Sequence, residues 1–375
     1  MTEVPRTREN RMDWGRTNAY DQWLESLGVP VHQGYYVADL KTLPLGWWEQ
    51  RRCNAGFLKL AGQEGISEVR LTEIPPAEST APWKMAVDEL VYVLDGRGLT
   101  TVWGEGRAKK VFEWQKHSLF LVPRGYSAQL SNGQGGKPAR LLHYNSLPLA
   151  MQLIPDAEFF FNNPHFDAGL MYGAGNETFY SEAKLVQQAG DSERRSFWRG
   201  NFFPDMRAWD RLIPFRGRGA GGHVVWIRFP RCSLWNHMSV FPAKTYKKAH
   251  RHGPGTLVVI VAGEGYSFMW PEGKDKVHIP WREESCFVPP NRWFHQHFNV
   301  GAVPARYLAF HAPKGAAGNS ERIEDRARDQ IEYCDEDSVI RKTFEGELGK
   351  RGIASIMPEQ AYKDRTFEWA YGGEE

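Results

Sequence analysis

Five of the twelve histidines fall between positions 250 and 297, and their spacing is suited to binding a metal. His250 and His252 stand two apart. On an extended strand alternate side chains share a face, so both imidazoles point one way and Arg251 points the other. A long strand-like stretch follows, then the turn Pro289-Pro290-Asn291-Arg292, then His295, His297 and Asn299. Folding this stretch back as an antiparallel neighbour brings His295 to His250 and His252. Three neutral imidazoles suit iron, zinc, nickel or copper. His297 shares the strand face of His295, which makes it a pocket residue able to hydrogen-bond a substrate hydroxyl or accept its proton. Arg292 has the chemistry to pair with a substrate carboxylate.

These spacings resemble the double motif of the cupin superfamily. The first block there is H-x-H, a glutamate, and a glycine seven residues after it; the second is a proline, a glycine, a histidine and an asparagine. Here the first block reads His250-Arg251-His252, Thr256 at the glutamate position, then Gly263 and Gly265. The second reads Pro290, Arg292 at the glycine position, His295 and Asn299. The carboxylate ligand is therefore missing, and Thr256 is expected to fill its volume.

The motif recurs in residues 51–150, where Glu89 precedes Gly96 by seven and Pro123, Gly125 and Asn132 repeat the second block. The histidines are gone from this copy. Trp83-Lys84-Met85 stands in the H-x-H region and Ala128 at the later histidine. A metal-free barrel kept for packing is the expectation, with a site built on Glu89 and His143 as the alternative. The resemblance implies an all-β fold of two cupin barrels (double-stranded β-helix, jelly-roll) in tandem, with metal held by His250, His252 and His295.

The elements that must position these residues follow from pattern. With 375 residues the chain exceeds one ordinary core. Residues 1–50 read as an arm, with a short helix over 21–27. Residues 51–150 read as short strands between glycine-rich turns, as in Leu90-Val91-Tyr92-Val93-Leu94 before Asp95-Gly96. Residues 151–221 read as an aromatic, turn-rich connection, 222–315 as the metal-binding barrel, and 316–375 as a charged tail. In that tail Asp337 or Ser338 caps a helix over 340–348, and 353–357 adds a strand. Tyr266, Phe268 and Trp270 share one strand face, suited to core or to the wall of an aromatic substrate site.

Composition narrows the partners. Lys plus Arg and Asp plus Glu number 47 and 45, intermingled, for a net charge of +2, which argues against nucleic acid. The four cysteines form no C-x-x-C pair. No stretch of 18 apolar residues or signal-like leader occurs, so a cytoplasmic protein without membrane contact is expected. Bicupins commonly assemble, which implies a homo-oligomer, dimer or higher, acting on a small-molecule substrate.

An all-histidine cupin site looks like the arrangement of the cupin dioxygenases. His295-Gln296-His297-Phe298-Asn299 in particular resembles the signature of gentisate and salicylate ring-cleaving enzymes. The expectation is a mononuclear non-heme Fe(II) dioxygenase acting on a small aromatic or hydroxy-acid substrate, with zinc, nickel or manganese as other metals. The alternatives are a non-redox metal-dependent cupin enzyme (decarboxylase, isomerase, lyase or hydrolase) and a non-catalytic small-molecule-binding bicupin.

Overall fold

The computed structural model describes residues 18–166, 178–188, 195–313 and 328–371. The polar stretches 1–17 and 191–194 lie outside the described residues, as does the start of the charged tail.

Period-two apolar runs separated by turns fold into two barrels, each of two facing sheets. In the first, Cys53–Leu60, Glu68–Ile74, Ala139–Asn145, Glu89–Asp95 and Leu119–Val122 lie side by side. Trp83–Lys84, Ser127–Asn132, Arg97–Trp103 and Lys110–Gln115 form the facing sheet. The second barrel repeats that order with His223–Arg228, Trp235–Phe241, Ala305–His311, Leu257–Ala262 and Cys286–Phe287. Its facing sheet is Ala249–His250, Phe294–Asn299, Glu264–Trp270 and Val277–Arg282.

The duplication extends to single hydrogen bonds. Trp114 Nε1 donates to Thr100 Oγ1 and Trp281 Nε1 to Ser267 Oγ, both at 3.0 Å. Each indole lies against a glycine, Gly98 or Gly265, where a Cβ would collide with the ring and with the carbonyl of Ser131 or Phe298. Asn132 and Asn299 each tie down backbone carbonyls at the barrel end. Gly125 and Arg292 both take positive φ, +75° and +60°. That conformation explains why a glycine belongs at this point of the pattern, and what Arg292 gives up by standing there.

Two segments cross between the barrels. Tyr36–Val37, from the N-terminal arm, pairs with Cys286–Phe287 of the second barrel. Phe202–Phe203, from the connection, pairs with Leu119 and Phe120 of the first. Neither crossing was evident from local pattern. The arm also supplies a helix, Ala19–Ser26, started by Asn18 accepting from the Asp21 amide. Its Trp23 stacks on Phe161 at 4.6 Å and meets Trp48 and Phe57 edge-on, so it packs into the aromatic interior of the first barrel.

The tail helix is Ser338–Gly349, with Asp337 as N-cap. It buries Ile340, Phe344 and Leu348 against Tyr246, Tyr266, Phe268 and Phe298. The Tyr266, Phe268 and Trp270 face is therefore the outer face of the sheet, covered by the tail, and is not a substrate wall. Residues 353–357 form no strand; Gln330–Ile331 forms one instead, alongside Ala249–His250. Among the described residues no helix is long and apolar enough to cross a membrane.

Candidate metal centre

His250 ends its two-residue strand opposite His295, its register partner across the sheet. The two rings lie 4.1 Å apart, and His252 stands 4.7 Å from His295. One ring nitrogen from each of the three falls within 4.8 Å of the others, a spread that a single ion can draw together.

The ring orientations fit a metal. His252 Nδ1 is 2.7 Å from the Gly253 carbonyl and His295 Nδ1 is 3.3 Å from that of Trp293. A ring that donates from Nδ1 to a backbone carbonyl keeps a free lone pair on Nε2, as metal-binding histidines do. His250 Nδ1 is buried with no hydrogen-bond partner, which a bound cation would resolve. Burial holds all three well below the ordinary histidine range, His252 at about 4, with Arg218 adding to the effect at His250. Neutral imidazole is the form that binds metal.

Around the triad the barrel interior is polar. Ser267, which accepts from Trp281, holds His297 Nδ1 at 2.8 Å. The His297 ring lies 5.6 Å from that of His295 and 6.3 Å from that of His250. Burial, then Lys247, lowers His297 to about 3. Thr256, at the missing carboxylate's place, lies 3.3 Å from His311 Nδ1, and His311 Nε2 is 2.8 Å from His237 Nδ1. Trp235 stacks on His311 at 3.7 Å. Neither His237 nor His311 lies within a motif; each is carried on a strand of the sheet that faces the triad.

The basic run beside the ligands divides. Lys248 pairs with Glu332, and Arg251 with Asp329 and Glu272. Lys247 turns inward and is 1% exposed. Arg292, expected to meet a substrate carboxylate, grips Asp329 with both guanidinium nitrogens and has a side chain 45% exposed. Arg218 donates to Gln330 Oε1 at 2.7 Å, on the tail strand that borders His250.

In the first barrel the corresponding space is filled. Trp83 and Met85 join the aromatic cluster closed by Trp23. Glu89, the retained carboxylate, is paired with the buried Arg70 and with His143 Nδ1 at 2.9 Å. Arg70 also pairs with Glu68, and Asn145 bridges Glu68 and Glu89. A guanidinium thus takes the charge that a metal would bring, as a packed barrel requires.

No protein-family model matches the sequence, and no curated protein matches it. Solved structures resemble it at low identity. A Bacillus subtilis oxalate decarboxylase variant is 12% identical, over 76% of this chain and 78% of that one, with a TM-score of 0.48. The Lactobacillus farciminis oxalate decarboxylase formate complex is 14% identical, over 76% and 88%, at 0.47. The coconut allergen cocosin is 12% identical, over 74% and 85%, at 0.46. Mn(II) centres are described for the Bacillus subtilis enzyme.

The expected iron(II) dioxygenase is accordingly corrected. The likenesses run to oxalate decarboxylases rather than ring-cleaving oxygenases, and the metal named among them is manganese. The motif behind the expectation also has another use here. Asn299 donates to the carbonyls of Pro242 and Val303 and accepts from the Gly301 amide, as Asn132 secures the equivalent turn of the first barrel. The asparagine marks a barrel turn and carries no information about oxygen chemistry. With its strand order repeated in two facing-sheet barrels, the chain has an all-β, two-domain bicupin architecture, with a histidine cluster fit for a divalent metal in the second barrel.

Proposed function

We propose that the second barrel is the site of a non-redox, metal-dependent enzyme acting on a small carboxylate. His250, His252 and His295 hold the ion, with manganese, zinc and nickel as candidates. The observation that carries this reading is the triad of neutral histidines beside Thr256, a ligand group that includes no carboxylate among the described residues. A loaded site of this kind is strongly positive. An anionic substrate restores the balance.

The metal supplies Lewis acidity, polarising a bound carboxylate or carbonyl oxygen. His297, held through Nδ1 by Ser267, is the residue placed to hydrogen-bond the substrate or pass it a proton from Nε2. The filled first barrel serves as a rigid wall. Decarboxylation, the activity named for the similar Bacillus and Lactobacillus enzymes, is the first member of this reaction class to test.

The experiment is metal analysis of protein purified without chelator, followed by anaerobic assay of manganese-, zinc- and nickel-loaded protein with small mono- and dicarboxylates, reading carbon dioxide release. About one ion per chain and turnover without dioxygen support the proposal. Protein that takes up none of these ions overturns it.

A further inference from the structure

Lys247 sits deep between the two sheets of the second barrel with no carboxylate to balance it. Its Nζ donates to Ser239 Oγ and, at 3.3 Å, to the Tyr307 hydroxyl, both neutral. Three rings surround it, Phe215 at 5.0 Å, Tyr307 at 5.1 Å and Phe241 at 5.3 Å from the nitrogen. An ammonium has three hydrogens to give. Two are used, and among the described residues the third finds no acceptor and Lys247 makes no ion pair. Burying a charge this way is costly unless something anionic completes the site.

Its position relative to the metal centre identifies what that partner is. The Tyr307 ring that faces Lys247 is 5.2 Å from the His297 ring, and His297 lies beside His295. By these contacts two side chains, Tyr307 and His297, stand between Lys247 and the triad. Its nearest cation, Arg218, repels it, and burial together with that repulsion presses the ammonium well below the ordinary lysine range. The neighbouring carboxylate Asp329 is engaged by Arg251 and Arg292. A divalent ion and Lys247 together carry more positive charge than one monoanion offsets.

We propose that Lys247 is a specificity-determining residue, and that the substrate is a small organic dianion with one charged group on the metal and the other received by Lys247 Nζ. This rests on the metal site proposed above. A basic residue three positions before the H-x-H thus selects two charges over one. In the first barrel the equivalent residue is Thr80, whose hydroxyl accepts from the Leu130 amide, as a filled barrel needs no such cation.

The test uses the full chain loaded with cobalt(II), whose visible absorption reports anions reaching the metal. Oxalate, malonate and succinate are titrated against formate and acetate, in wild type and in Lys247→Met. The expected result is a dicarboxylate bound at least tenfold more tightly than either monocarboxylate by wild type. Lys247→Met should lose that advantage while keeping its cobalt spectrum, its monocarboxylate affinity and a Tm no lower than wild type, because a lone buried cation has been removed. Equal preference in both proteins overturns the proposal, as does a Tm loss with unchanged anion preference, the mark of a structural lysine. Should Lys247→Met not fold, Lys247→Arg displaces the charge, and an unaltered order of affinities there overturns it equally. A wild-type chain that binds no cobalt refutes the metal site itself, recognisable before any anion is added, and this proposal falls with it.

Discussion

Arg70→Met probes the buried charge cluster built around Glu89, the first barrel's counterpart of Thr256. The Arg70, Glu68 and Glu89 side chains are 2%, 0% and 7% exposed, so water screens none of them. Methionine fills most of the volume and leaves two carboxylates without their shared cation. Breaking a buried pair by removing one partner costs about 3–5 kcal/mol, and that is the loss expected near neutrality. The pH dependence provides the sharper readout. In the wild type burial acts to raise the Glu89 pKa, but Arg70 and then His143 outweigh it and hold it far below the ordinary 4.5. Such a group adds stability above pH 4.5 and loses it only as pH falls through its folded value. Without Arg70 burial governs, the folded value rises above 4.5, and the carboxylate costs stability at neutral pH. That cost fades as the pH falls toward 4.5. The gap between wild type and variant should therefore narrow on acidification, by up to about 1.4 kcal/mol per pH unit for each carboxylate that takes up a proton. Urea unfolding at pH 7.5 and pH 5 measures it. A gap under about 1 kcal/mol at pH 7.5, or one that widens at pH 5, refutes the reasoning.

Three further outcomes are expected. His250→Ala and His295→Ala should each retain less than about a tenth of the wild-type metal and lose the rise in Tm that metal gives, because binding to the folded chain alone is folding energy; elemental analysis showing full loading in either would remove that residue from the site. Burial lifts Glu336 to about 7 against the pull of its hydrogen bonds from Tyr246 and Gln296. A raised carboxyl costs stability above its folded pKa and nothing below its unfolded one, so Glu336→Gln should raise the Tm at pH 8.5 and leave it nearly unchanged at pH 4; equal shifts at both would contradict that pKa. Trp23→Ala should cost about 2–3 kcal/mol in urea unfolding, somewhat under the value for a fully buried tryptophan because the ring is part-exposed, without reducing bound metal. Loss of metal on this change would show that the two barrels are not independent.

The metal triad was legible because strand periodicity is local: two residues apart means one face, and a turn before His295 means return to the neighbouring strand. Repetition made the barrels legible too, since Gly98 and Gly265, Trp114 and Trp281, and Asn132 and Asn299 recur at one interval. The aromatic face of Glu264–Trp270 was ambiguous, because periodicity separates its two faces without saying which turns inward. Only the tail helix, far along the chain, decides that Ser267 and Met269 face the interior. Lys247 was hidden for a related reason. A run of Lys247, Lys248 and Arg251 looks like a solvated stretch until Asp329 and Glu332, which flank the two-residue tail strand Gln330–Ile331, claim the outward members. Arg292, too, is engaged by this tail, through Asp329. The dioxygenase resemblance leaned on Asn299, which here holds a turn, a task that a motif does not distinguish from chemistry.

The crossing strands set an order of events during synthesis. Leu119–Val122 cannot gain its neighbour until Phe203 has left the ribosome, long after the rest of the first barrel is available. Tyr36–Val37 must wait longer, until Cys286 and Phe287 arrive. For that interval the emerging chain carries unpaired strand edges, the feature most prone to joining another molecule. Expressing either barrel alone makes that transient state permanent. A division of the gene at residue 150 would strand each half's missing edge on the other piece, and recovery of a folded protein would require the two pieces to be made together.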